Sequence, residues 1–387
     1  MEKHEKKMPI RIIPIGGVEE IGRNMTVVEY DDEIIVIDAG IQFPEEETPG
    51  IDFIIPNTEY LEKNKSKIKA LVISHGHMDH VGAVPYLIDR LGFPVIYTTR
   101  FSKAIIQKRQ DEFRHMPTLK IEEVTSASVI NLGKLKIKFF DITHAIPDAI
   151  GVIIETPYGN VIYPGDFRFE LDENSNPVNI EHYEKLGKEN NLVLFLESTN
   201  AETPGFSIPE KVVYQNLEKI VTEAKNRIII GMFSSHIERV IEIVKVAEKH
   251  DKKVAIDGYS LKASFEIVKA LGYFHPKKDV LIPVEKIDSY LPSKVIAICT
   301  GSQGEENASL MRIANKRHKH IRITKDDTVI LSSSVIPGNE KSIQSLKDNL
   351  SRQGAKIIHY GVASVHASGH ACQEDLKLMV KMIKPKY

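Results

Sequence analysis

The feature that most constrains this chain is six residues long. His75-Gly76-His77-Met78-Asp79-His80 follows directly on the apolar run Ile68–Ser74, which reads as a strand. Only 15 of the 387 residues are histidine, so composition alone does not produce three of them beside an aspartate. Neutral imidazoles and a carboxylate suit a borderline divalent cation such as zinc. On an irregular loop, His75 and His77 are expected to point one way and Asp79 with His80 another. That geometry serves two adjacent metals. The bland alternative is a solvated histidine-rich turn.

Two further positions fit a shared site. His144 lies in DITHAIPDAIG, after an apolar strand, and Asp166 lies in YPGDF, where a strand ends at a glycine. Alone, each reads as a turn or cap residue. With the upstream loop, Asp166 becomes the natural bridge between two cations. Metals about 3.5–4 Å apart stabilise an in-line phosphoryl displacement. Near the end stands His366-Ala367-Ser368-Gly369-His370. Placed at the start of a helix near Cys372, it would offer a hydroxyl and exposed N–H groups to a phosphate. Its bland reading is a serine cap with two exposed histidines.

The chain changes character near PGFSIPE (204–210). Before it come short β-branched strands: 10–14, 24–30, 33–40, 68–74, and a hairpin over 151–166 turning at Tyr-Gly-Asn. After it, helices (212–225, 237–250, 261–272) alternate with strands (227–231, 253–257, and the runs KVIAICTG, TVILSSS and AKIIHYG). That alternation predicts a mostly parallel α/β unit, and the last residues read as a helix.

Net charge is −2, from 51 basic and 53 acidic residues, which excludes a globally basic nucleic-acid binder. A local basic surface is still available. Residues 311–325 hold Arg312, Lys316, Arg317, Lys319, Arg322 and Lys325 with His318 and His320, and the window has no acid. It is expected to contact backbone phosphates, with a solvated helix end as the alternative. Phe101, Lys103, Lys108, Arg109 and Arg114 form a second, weaker candidate interrupted by Asp111 and Glu112. Two cysteines make neither a disulfide framework nor a Cys-rich zinc site. No apolar stretch is long enough to span a membrane, and with no apolar segment behind its first charges the chain is not expected to be secreted. A cytoplasmic setting without membrane contact is expected.

HGHMDH, His144 and Asp166 resemble the metallo-β-lactamase fold in order and spacing. GGVEEIGRNM (16–25), GDFRFE (165–170), ESTNAETPG (197–205), TGSQGE (300–305), SVIPGNE (334–340) and HASGH (366–370) resemble its β-CASP branch, and most closely the ribonuclease J family. The likeness runs from about residue 9 to the last residue. It implies an α/β architecture: an αββα metallo-β-lactamase sandwich (1–205) with an inserted α/β β-CASP domain (206–360). The chain then returns to the first domain over 361–387.

The implied reaction is zinc-dependent hydrolysis of RNA phosphodiesters in RNA processing and decay. The expected activity is a 5′-to-3′ exonuclease that prefers single strands with a 5′-monophosphate and also cuts internally. By the same resemblance His75, His77 and His144 hold one zinc and Asp79 and His80 the other, with Asp166 bridging. Manganese and magnesium are the alternative occupants. His370 corresponds to the histidine that helps protonate the leaving group, with Glu197 orienting it, and Asp79 belongs to the catalytic set. His366, Ser368 and Gly369 match a phosphate-holding segment. Ser234-Ser235-His236 matches a loop receiving the 5′-terminal phosphate.

Two departures from the family pattern matter. Glu197 stands where the family usually has Asp. The family continues beyond the segment IKPKY into a strand with a His-Gly pair, a linker and a small dimerising domain. Either the chain is a truncated or split form, or its second metal site is incomplete; the expected partners are a homodimer or a second chain supplying the C-terminal part. The competing functions are a catalytically weak RNA-binding form, a DNA nuclease and a small-ester hydrolase on the same metal loop.

Overall fold

The structure is a computed structural model that describes residues 8–43, 50–336 and 338–387. The chain forms two compact units, Met1–Phe206 with His370–Tyr387, and Ser207–Gly369. The sequence places the return to the first unit at 361. The structure keeps residues 361–369 with the second unit, because their backbone is bonded there. Asn216 donates to the Ser364 carbonyl (3.1 Å), the Ser332 hydroxyl to Val365 (2.6 Å) and Arg239 to Ala367 (3.1 Å).

In the first unit, β1 (Ile10–Gly16), β2 (Met25–Tyr30), β3 (Glu33–Ile37), β4 (Ile68–Val72), β5 (Val95–Thr98) and β6 (Ile121–Glu123) form one sheet in sequence order. A second sheet has the order β11-β10-β9-β8-β7, from β7 (Val129–Asn131), β8 (Lys136–Asp141), β9 (Ile150–Thr156), β10 (Gly159–Tyr163) and β11 (Asn191–Leu194). The hairpin read at 151–166 is β9 paired antiparallel with β10.

Strand periodicity of two explains how the sheets stack. Ile35 and Ile37 of β3 join Val152 and Ile154 of β9 in a core between the sheets. Ile34 and Val36 face the other way, into a core with Leu61, Val81, Val84, Leu87 and Ile106. Those residues come from α1 (Glu59–Lys63), α2 (Met78–Val81), α3 (Val84–Leu87) and α4 (Arg100–Gln110). Ile153 of β9 packs outward with Tyr183 and Leu186 of α5 (Glu181–Leu186) and Met379, Met382 and Ile383 of the C-terminal helix Gln373–Ile383. The result is an αββα sandwich. After that helix the chain runs beside β11, where Tyr387 N donates to Leu192 O (2.9 Å) and Leu194 N to Tyr387 O (3.0 Å).

The second unit is the parallel sheet expected from its alternating pattern. β12 (Ile228–Met232), β13 (Lys253–Asp257), β14 (Val295–Cys299), β15 (Thr328–Ser332) and β16 (Lys356–His359) lie in the order β13-β14-β12-β15-β16, and every pair is parallel. The three central strands β12, β14 and β15 are buried along their whole length and rich in β-branched residues, as burial on both faces requires. Its helices are α6 (Glu210–Glu223), α7 (Ile237–Lys249), α8 (Tyr259–Ala270), α9 (Ser309–Ala314) and α10 (Glu340–Ser351). One face packs Ile229, Ala297 and Leu331 against Leu310, Ile313, Leu346 and Leu350. Among the described residues no helix is long and apolar enough to cross a membrane.

Candidate metal centre

The HGHMDH segment is more ordered than an irregular loop. His77 caps α2, so Asp79 and His80 sit on one helical turn while His75 precedes it. The exit of β3 and the residue before β2 hold that turn. Ala39 N donates to His80 O (2.8 Å), Ile41 N to Met78 O (3.0 Å) and Asn24 N to Asp79 O (3.0 Å). Gly40 allows this approach, since a Cβ there would lie 1.5 Å from the Asp79 carbonyl oxygen.

His75, His77, His144 and Asp166 bring one ligand atom each into a single cluster, Asp79, His80 and Asp166 into another, and Asp166, Glu197 and His370 into a third. Within each, the ligand atoms lie within 4.8 Å of one another. His77 Nδ1 is 3.1 Å from His75 Nε2 and 3.0 Å from His144 Nε2. A ring nitrogen has either one proton or one lone pair, so His77 Nδ1 cannot make a full hydrogen bond to both neighbours at once. A cation between the three nitrogens satisfies them all. Around tetrahedral zinc, ligand atoms stand about 3.3 Å apart. Asp166 Oδ2 completes the set at 3.8 Å from His75 Nε2 and 3.9 Å from His144 Nε2.

Burial sets the charge state. His75 is fully buried, which with the neighbouring imidazoles drives its pKa well down; burial likewise pulls His77 to about 4. Both are therefore neutral, as ligation demands. For His80 burial also acts downward, but Asp166, Asp79 and Asp38 outweigh it and raise the pKa well above the usual value. Three carboxylates thus draw positive charge to the His80 side of Asp166.

Residues that the sequence reading missed hold these ligands. Asp38 is buried and accepts from Ser74 N (2.8 Å), the Ser74 hydroxyl (2.9 Å) and the Tyr163 hydroxyl (3.0 Å). Its Oδ2 lies 2.8 Å from His80 Nδ1, leaving His80 Nε2 to face Asp166 at 3.2 Å. A carboxylate behind an imidazole fixes its tautomer and raises its basicity. The Asn24 amide also meets His80 Nε2, at 3.1 Å. The available signal was the aspartate that ends the apolar run EIIVIDAG.

His370 Nδ1 is 2.8 Å from Glu197 Oε2 and 3.8 Å from Asp166 Oδ2. Burial lowers the His370 pKa, but the two carboxylates more than reverse this and push it up to about 10. Burial pushes the Glu197 carboxyl up as well, although the His370 imidazole beside it acts downward. Phe167 N donates to Glu197 Oε1 at 2.9 Å and fixes the carboxylate. The C-terminal helix is capped by Cys372 and Asp375, not by Ser368: Cys372 N donates to Asp375 Oδ2 at 2.9 Å.

The other expected positions fall in the second unit or on α4. Ser234, Ser235 and His236 form the turn between β12 and α7. The His236 ring stacks on His366, with centroids 5.4 Å apart and planes 6° apart. Ser368 is half-buried and Gly369 buried. The basic window is only partly available. His318 is buried and its Nε2 lies 3.0 Å from Asp257, while Arg322 is turned onto the His318 carbonyl. Arg312 and Arg317 have acidic neighbours, Asp257 at 3.8 Å and Glu306 at 3.9 Å, so the exposed Lys316, Lys319 and Lys325 are its open cations among the described residues. In the weaker candidate, Phe101 is a core residue and so not part of a binding surface, and Lys103 pairs with Glu123 at 2.9 Å.

Residues 18–213 match the metallo-β-lactamase superfamily model, and residues 225–350 match the model "Ribonuclease J, beta-CASP domain". Ribonuclease J of Mycoplasma pneumoniae is 39% identical over 382 residues, 98% of this chain and 67% of that protein. Ribonuclease J2 of Bacillus subtilis is 38% identical over 379 residues, 98% of this chain and 68% of that protein. The chain belongs to the ribonuclease J family. It spans about two thirds of the length of these relatives. A crystal structure from Enterococcus faecalis V583, titled as a protein of unknown function, shares the fold. Its TM-score is 0.70 at 16% identity, over 97% of this chain and 92% of that one. For this ribonuclease J family member, the fold and the His/Asp cluster together mark a divalent-metal site.

Proposed function

We propose that this chain is a metal-dependent ribonuclease that hydrolyses RNA phosphodiesters, trimming 5′ to 3′ from monophosphorylated ends and also cutting internally. The observation that carries this reading is the convergence of His75, His77, His144, Asp166, Asp79 and His80 on one buried site beside the His370–Glu197 pair. Zinc suits the three-histidine cluster best, and manganese or magnesium suits the more carboxylate-rich one. Held by these residues, divalent cations would supply Lewis acidity toward a phosphoryl oxygen and toward water.

The chain's own residues carry the remaining work. Asp166 touches both clusters and ties their positions together. Asp38 keeps His80 aimed at Asp166. Glu197 holds His370 by Nδ1, so its Nε2 is the atom from which a proton passes to the leaving 3′ oxygen. In the second unit, the turn 234–236 and the segment 366–369 supply hydroxyl, imidazole and backbone donors to phosphate. A seat sized for a monophosphate favours it over a bulkier triphosphate.

The test compares 5′-monophosphorylated with 5′-triphosphorylated RNA, labelled at either end, against wild type and His370→Ala. Faster trimming of the monophosphate and a large loss of kcat in the variant are expected. Equal rates at the two ends would refute the end preference, and wild-type kcat in His370→Ala would refute the proton donor.

A further inference from the structure

We infer that Arg239 is a positioning residue that holds His366 as the neutral tautomer protonated on Nε2, so that His366 presents an N–H donor to an anionic phosphate. This rests on the reading of His366 as a phosphate ligand; the new element is the residue that aims it.

Arg239 stands in the first turn of α7, directly after the Ser234-Ser235-His236 turn, and is 1% exposed. Its guanidinium is spent on four partners. It pairs with Glu210 of α6 through Nε (3.3 Å) and Nη2. Nη1 meets the Ser332 carbonyl and hydroxyl at 3.3 Å, at the C-terminal end of β15. Nη2 donates to the Ala367 carbonyl at 3.1 Å, and Nη1 lies 2.9 Å from His366 Nδ1. One side chain therefore links the two segments assigned to phosphate, although 127 residues separate Arg239 from His366.

A guanidinium has five N–H donors and no acceptor. The imidazole must accept at Nδ1, and an accepting ring nitrogen carries no proton. The proton of His366 is then on Nε2, at the far edge of the ring. Protonating Nδ1 would set N–H against N–H beside a buried cation. His366 is thereby kept neutral and donating over the range in which an ordinary imidazole changes charge. Arg239 and His236 face His366, and Glu210 stands behind Arg239. Glu210 balances the buried guanidinium, which would otherwise lie uncompensated. Lysine is no substitute, because its ammonium is a single point charge and cannot span Glu210, Ser332 and His366 together.

The experiment uses the full chain with 15N-labelled histidine. The ring signals of His366 are identified by their loss in His366→Ala and followed from about pH 8 to about pH 5.5. The wild type should show the Nε2–H tautomer throughout. In Arg239→Lys the ring should titrate, and KM for 5′-monophosphorylated RNA should rise about tenfold and become pH-dependent, with kcat little changed. The paired Arg239→Gln, Glu210→Gln variant leaves no unmatched buried charge and should show the same spectral change. A wild-type proton on Nδ1, an imidazolium within that range, or Arg239→Lys spectra identical to wild type would overturn the inference. The expected spectra together with unchanged KM in His366→Ala would instead overturn the phosphate reading and leave the tautomer assignment standing.

Discussion

The two units use histidine in opposite ways. In the first, His75, His77 and His144 turn ring nitrogens toward one another at 3.0–3.1 Å, beside Asp166, a donor set that suits a cation. In the second, the Arg239 guanidinium meets His366 at Nδ1, which places the ring's proton on Nε2. Burial is similar: His75 is 0% exposed, His144 3% and His366 7%. The difference lies in what occupies the far nitrogen. Carboxylates such as Asp38 and Glu197 behind an imidazole make it a base or a proton carrier, and an arginine behind it makes it a fixed donor.

Breaking the cation side should give the largest effect. His77→Ala removes the nitrogen that faces both His75 and His144. RNA hydrolysis should fall to background and bound metal should drop, with the circular dichroism spectrum unchanged. Full cleavage by this variant would remove the cation from the account. A smaller break tests the support rather than the ligand. Asp38→Asn keeps shape and tolerates the left-handed backbone at φ 62°, but withdraws the charge behind His80. Metal affinity or activity should fall about 10–100-fold, measured by competition with a chromogenic chelator.

The cation half of the comparison was largely legible in the sequence, because HGHMDH is local and His144 and Asp166 stand beside strands with clear periodicity. The strands themselves were legible for the same reason: Ile34 to Ile37 alternate between two cores. The anion half was less legible. Arg239 looks like any charged residue on an amphipathic helix, and nothing local says that its side chain ends on His366. Asp38 is likewise 42 residues from His80. His318 misled in the other direction. Its basic neighbours suggested a surface, whereas it is bound to a buried carboxylate.

That pair gives a third prediction, on stability. Burial would raise the Asp257 pKa, but hydrogen bonds from His318, Ser309 and Lys262 outweigh it and hold the carboxyl well below the usual range. A depressed folded pKa stabilises the protein above the unfolded value of about 3.9, and the benefit is lost as pH falls toward the folded one. Asp257→Asn should therefore cost about 1–3 kcal/mol from neutral pH down to about pH 4. The gap should narrow below that, as read from thermal melts. A gap that widens with acid would contradict the assignment. The smallest effect belongs to the exposed lysines. Lys316→Ala and Lys319→Ala should each weaken RNA binding uniformly across sequences and reduce the salt slope by about one or less. An unchanged slope would take them out of the interface.

The central claim, that buried cations at the His/Asp clusters drive RNA hydrolysis, is tested most directly by removing them. The full chain is stripped with a chelator, dialysed, and titrated with zinc or manganese while cleavage of labelled 5′-monophosphorylated RNA is followed. Cleavage should vanish in the stripped protein, return with added metal, and fail to return in His77→Ala. Undiminished cleavage by protein shown to be metal-free would contradict the claim.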